Sequence, residues 1–199
     1  MKKIITLILL SLLIGSAYSQ GYKVGDRAMG FDLINIDGTM VSNNDYSEAK
    51  GFIVIFTCNH CPFSVAYEDR IIDMDKSYKS MGYPVIAINS NDSLIAPTDS
   101  YSHMKIRAQE KGFTFPYLLD TDQSVAKTYG ATRTPHVFIL KKEKKKLVVK
   151  YIGAIDDNHE EPNKVTVNYV DNAVKALLNN KKPAQDFTKA IGCSIKFSK

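Results

Sequence analysis

Cys58 and Cys61 bracket the tetrad Cys58-Asn59-His60-Cys61, at the end of the apolar, largely β-branched run Phe52-Ile53-Val54-Ile55-Phe56. A strand that hands a CxxC to the first turn of a helix places thiols where the helix dipole and free backbone N–H groups favour a thiolate. The second thiol lies one turn on, within reach of a disulfide with the first. Such a pair can exchange two electrons with other disulfides. His60 puts an imidazole between the two cysteines, which favours the thiolate and thus the reduced protein, making the pair more oxidising.

The elements that must hold this pair are legible from periodicity. Phe31 to Ile36 alternates, and Asp37-Gly38 is a hairpin signal before Thr39-Met40-Val41. Asn44 to Ser47 forms a short loop or helical turn, and Gly51 opens the buried strand before the CxxC. From Pro62 to Lys79 the pattern is helical, with Val65, Ile71, Ile72, Met74 and Tyr78 on one face and Glu68, Asp69, Arg70 and Lys76 elsewhere. Pro62 suits a first turn, where its absent N–H costs nothing. A second buried strand spans Pro84 to Ile88, a helix Ser100 to Lys111, and an extended segment Phe115 to Leu119. Asp120 or Asp122 can cap a helix through Ala126 to Tyr129 that stops at Gly130. Thr134-Pro135 precedes a strand from His136 to Leu140; the lysine-rich stretch 141–146 is a solvated hairpin turn leading to Leu147–Gly153. The last helix covers Val165 to Leu178, and Asp156 to Glu161 is a solvated acidic loop. This order predicts an α/β domain with a mixed central sheet flanked by helices.

Residues 1–19 have the form of a signal peptide. Lys2 and Lys3 precede an apolar stretch from Ile4 to Ile14 broken by Thr6 and Ser11, and Ala17-Tyr18-Ser19 supplies small residues for cleavage before Gln20. The stretch is short for a bilayer span. Export, to the periplasm or beyond, is therefore expected, with the membrane met only in transit. Residues 20–182 form one domain and 183–199 a tail packed on it. Losing two leader lysines takes the formal charge from +5 to +3, a balance that does not indicate nucleic acid. Three cysteines are too few for a stapled scaffold, and Cys193 is left odd. It is either a small hydrophobe anchoring the tail or a third redox thiol; the alternation of Cys193, Ile195 and Phe197 suggests an edge strand.

Strand, CxxC, helix, Thr134-Pro135, hairpin and final helix together resemble the thioredoxin superfamily. The nearer match is its redoxin branch, which holds AhpC/TSA and TlpA-like proteins. Val24-Gly25-Asp26-Arg27-Ala28 with Phe31 resembles that branch's opening; Asn89-Ser90-Asn91-Asp92, Phe115 to Asp120 and Val125 to Gly130 resemble its middle. The resemblance implies a thioredoxin-like fold with an N-terminal hairpin extension and the tail outside it. It implies that Cys58 is the exposed nucleophile, Cys61 the resolving thiol, and that His60, Asn59 and Arg133 tune them. Pro135 would match the superfamily's cis-proline, with Thr134 offering backbone groups to an extended substrate. The expected partners are protein thiols and disulfides and an upstream redox protein, a membrane electron donor among the candidates. No bound organic cofactor is expected beyond the redox-active disulfide, and oligomeric state is left open. One departure matters: thioredoxin's buried acid, the proton acceptor in the strand before the CxxC, is matched here by Phe52.

Three other chemistries could use these residues. A thiol peroxidase needs P-x-x-x-[ST]-x-x-C, and the Ser/Thr and Pro positions hold Ile55 and Gly51 before Cys58, Cys58 and Val54 before Cys61. A Cu⁺ or Zn²⁺ module could use Cys58, His60, Cys61 and His136, but a second close ligand pair is absent from the sequence, so no metal is expected. An inert disulfide would close too small a loop to stabilise much.

Overall fold

The computed structural model describes residues 21–198, so the leader lies outside the described residues. Its elements are β1 (Arg27–Ala28), β2 (Asp32–Asn35), β3 (Met40–Ser42), β4 (Gly51–Phe56), α1 (Pro62–Tyr78), β5 (Val85–Asn89), α2 (Tyr101–Lys111), β6 (Tyr117–Leu119), α3 (Ser124–Tyr129), β7 (Arg133–Thr134), β8 (His136–Glu143), β9 (Lys146–Gly153), α4 (Tyr169–Leu178) and β10 (Cys193–Ser194). Eight strands form one sheet in the order β1-β9-β8-β4-β5-β6-β2-β3, while β10 and β7 make a separate ladder. The pairs β4–β5 and β5–β6 are parallel and the others antiparallel, so the sheet is mixed, as expected.

All six residues of β4 are buried because helices cover both faces of the sheet. Strand alternation then splits the run: Ile53 and Ile55 join the core under α1, α2 and α4, while Phe52, Val54 and Phe56 join that under α3. Gly51 is required at the start, since a Cβ there would stand 2.1 Å from the Leu140 carbonyl oxygen. The lysine turn is a tight hairpin with Lys144 and Lys145 at φ 46° and 67°. The N-cap of α3 is Gln123 rather than either expected aspartate, but both aspartates satisfy first-turn N–H groups: Asp120 accepts from Val125 and Ala126 and Asp122 from Ser124.

Three expectations are corrected. The last helix begins at Tyr169 rather than Val165. The β-branched segment Val165-Thr166-Val167 is held extended, because Asp157 Oδ1 accepts from the Thr166 N–H (2.9 Å) and the Asp157 N–H donates to the Val167 carbonyl (3.2 Å). Glu68, placed on the polar face of α1, is buried under α2, where Arg107 grips it bidentately at 2.7 Å through Nε and Nη2. Asp156, expected in a solvated loop, is buried and receives Tyr67 Oη–H and Arg70 Nη1–H, each at 2.6 Å.

The tail returns across the molecule. The Thr188 N–H donates to the Ile152 carbonyl at 2.9 Å, and the tail then reaches the loop after β5, where Lys196 N–H donates to Asn91 Oδ1 at 2.7 Å. Ile195 and Phe197 join the core under α3.

Candidate active site

Cys61 is the N-cap of α1 and Pro62 its first residue, so the helix begins at the second thiol. Cys58 and Cys61 are both free and both buried, at 3% and 0% exposure. The expectation of an exposed Cys58 is therefore corrected. Its sulfur packs 3.4 Å from Thr134 Oγ1 and 4.0 Å from Ser64 Oγ. The Thr134–Pro135 bond is cis, and the Thr134 carbonyl oxygen lies 3.2 Å from Cys61 Sγ. Thr134 thus faces both thiols, one with its hydroxyl and one with its backbone.

The charge distribution differs from the one expected. A hydrogen bond from the Cys58 thiol pulls the Cys61 thiol down to about 3, helped by Cys193 and the Ser64 N–H against the opposing effect of burial. Cys58 moves the other way: its proton is held by that same hydrogen bond, by burial, and by the negative Asp99 nearby. The resting negative charge belongs to Cys61, at the helix N-terminus. Protonated, Cys61 donates to the Thr134 carbonyl.

Asp99, just before α2, is the residue that the sequence did not reveal. Fully buried, it accepts from the Asn59 N–H at 2.8 Å, Asn91 Nδ2 at 2.6 Å and His60 Nδ1 at 2.7 Å. Asn59 is clamped further by its amide to the Thr98 carbonyl (2.8 Å) and by Tyr117 Oη–H to its Oδ1 (2.9 Å). Asn59 and His60 are thus the two residues through which the loop between the cysteines is anchored. Ligand atoms of Cys58, His60 and Asp99 lie within 4.8 Å of one another. His136 is not in that group, and burial lowers it to about 4, so it stays neutral at ordinary pH. Because Asp99 already accepts from three donors, its carboxylate is committed to holding the loop.

Arg133 lies against the tail: its Nη1 donates to the Gly192 carbonyl at 3.2 Å, and its charge acts on Cys193. The backbone edge of Thr134, expected to be open to substrate, is paired with Cys193 of the tail, and Ser194 pairs with Arg133. Cys193 is half-buried, and its sulfur is 2.6 Å from that of Cys61.

A strand, a two-cysteine helix N-terminus and a cis-proline facing it are thus assembled from distant segments. The family model described as the AhpC/TSA family matches residues 24–152. The chain belongs to the AhpC/TSA family. A crystal structure of an uncharacterized conserved protein from Geobacillus kaustophilus is 36% identical, covers 90% of this chain and 95% of its own, and superposes with a TM-score of 0.81. The solution structure of a putative thioredoxin from Neisseria meningitidis is 25% identical over 63% of this chain and 79% of its own, with a TM-score of 0.51. Thiol-disulfide oxidoreductase ResA of Bacillus cereus (strain ATCC 10987 / NRS 248) is 25% identical over 72% of this chain and 82% of its own. The fold is thioredoxin-like, and the general activity of this AhpC/TSA-family chain is thiol–disulfide oxidoreduction.

Proposed function

We propose that this chain is an exported thiol–disulfide oxidoreductase that exchanges the Cys58–Cys61 couple with protein substrates and an upstream redox protein. The observation that carries this reading is the pair of free thiols at the head of α1, with Thr134 against both sulfurs. Cys58 gives up its proton to solvent, and its thiolate attacks one sulfur of the substrate disulfide. That bond breaks, a mixed disulfide forms on Cys58, and the first substrate thiol leaves with a proton. Cys61 then attacks Cys58, closing the Cys58–Cys61 disulfide and releasing the second thiol. No organic cofactor enters the cycle. The leader motif supports export, to the periplasm or beyond, where disulfides persist.

Insulin reduction tests the reading. Cys58→Ser is expected to abolish turnover, and Cys61→Ser to accumulate a mixed disulfide with the substrate. Unchanged turnover in both variants would end the assignment. The reduction potential of the couple sets its direction: about −270 mV marks a reductant and about −120 mV an oxidant.

A further inference from the structure

The third thiol lies on a segment built onto the site. β10 adds to β7 in antiparallel register, Cys193 opposite Thr134, and the Ile195 N–H donates to the Thr132 carbonyl at 3.1 Å. A Cβ on Gly192 would lie 2.1 Å from the Thr134 carbonyl oxygen, so only glycine lets the tail backbone come this close. Beyond Cys193 the segment is tied down again: the Lys196 carbonyl accepts from the Asp92 N–H (2.9 Å) and Gln123 Nε2 (2.8 Å). The tail therefore lies as an added substrate strand would lie, with its sulfur directed at the active pair.

We propose that Cys193 is a third catalytic thiol, which takes the oxidised sulfur of Cys61 and returns Cys58 to its reduced form. This inference rests on the Cys58–Cys61 couple proposed above. The Cys193 thiolate attacks Cys61 Sγ in the Cys58–Cys61 disulfide. The Cys61–Cys193 bond forms, the Cys58–Cys61 bond breaks, and Cys58 leaves as a thiolate that takes up the proton given up by Cys193. One disulfide is present before and after, so the exchange needs no oxidant beyond the substrate that formed the first bond.

Electrostatics give the step a direction. In the reduced chain the Cys193 thiol is pushed up to about 11, by burial and then by the neighbouring Cys61 sulfur, against the pull of Lys196 and Arg133. Oxidation of Cys61 removes its negative charge and its hydrogen bond while the two cations remain. Cys193 thus becomes a better nucleophile once a target disulfide exists.

Peptide mapping separates the two bonds. Trypsin releases Cys58 and Cys61 together on residues 51–70 and Cys193 on residues 190–196. The protein is equilibrated at stepped ratios of oxidised to reduced dithiothreitol, quenched in acid, alkylated with N-ethylmaleimide and digested. A bond joining the two peptides is expected, with the maleimide on Cys58, alongside the bond within 51–70. Cys193→Ser should lose the joined species and keep the internal bond, while Cys58→Ser should still form the joined species. Oxidised protein holding only the internal bond, with Cys193 alkylated at every ratio and no joined species in Cys58→Ser, would overturn the third thiol and leave the couple standing. Absence of any disulfide would overturn both.

Discussion

Two buried carboxylates tie α1 and the segment before it to distant loops, and they differ in what balances their charge. Asp156 meets Arg70 at 2.6 Å, and the same guanidinium donates to the carbonyls of Asn158 and His159, each at 2.7 Å. Its charge is neutralised on the spot by a fixed cation, and this end of α1 is held as structure. Asp99 is answered by two amide donors and the half-exposed imidazole of His60, with Cys58 beside it. Part of its field is therefore left to act on the thiol. Charge that is cancelled locally builds the fold, whereas charge left partly uncancelled can tune a reaction.

The largest expected effect lies on the structural side. Arg70→Ala leaves Asp156 buried without its cation and should cost about 3–5 kcal/mol in urea unfolding. The thiolate absorbance titration at 240 nm should not move. A loss below about 1 kcal/mol, the worth of an exposed pair, would show that water replaces the guanidinium.

Asp99→Asn should cost less stability, about 2 kcal/mol, and change the reactivity of Cys58 instead. In the wild-type reduced protein, one thiolate should persist as pH falls toward about 3, because Cys61 is held far below an ordinary thiol. The sign follows. An acid whose folded pKa is depressed contributes stability that is complete above its unfolded value, about 8.5, and is lost as pH falls toward the folded one. Reduced protein should therefore weaken in acid more than oxidised protein, which carries no such group. Cys58 should ionise more readily in Asp99→Asn, since a negative neighbour has been removed, and so be alkylated faster by iodoacetamide at fixed pH. An unchanged alkylation rate would assign Asp99 to the loop alone.

The unequal visibility of these features has a physical origin. β4 and α1 were plain because an all-apolar run and a proline at a helix start are local signals, and the hairpin at Lys144-Lys145 needed only two strands of matched polarity. The start of α4 was missed because Asp157, upstream of the helix, competes for the backbone at Thr166 and Val167. Asp99 was invisible for a deeper reason. It reads as an ordinary acid ahead of a helix, and only the parallel β4–β5 pairing brings the loop after β5 to the CxxC. Cys193 was visible as part of an alternating strand, but its partner was not. Which sheet edge a tail will cover depends on every strand placed before it.

The smallest effect should come from Tyr117→Phe, and it separates position from charge. The hydroxyl of Tyr117 holds Asn59 Oδ1, while the Asn59 N–H and side-chain amide keep their bonds to Asp99 and Thr98. Two anchors of three remain, so the expected cost is about 1 kcal/mol in urea unfolding. Asp99 keeps its charge in this variant, and the alkylation rate of Cys58 should stay close to wild type. A shift matching that of Asp99→Asn would mean that the clamp on Asn59, rather than the carboxylate field, sets the protonation of Cys58. The contrast between the two buried acids would then be one of geometry and not of charge.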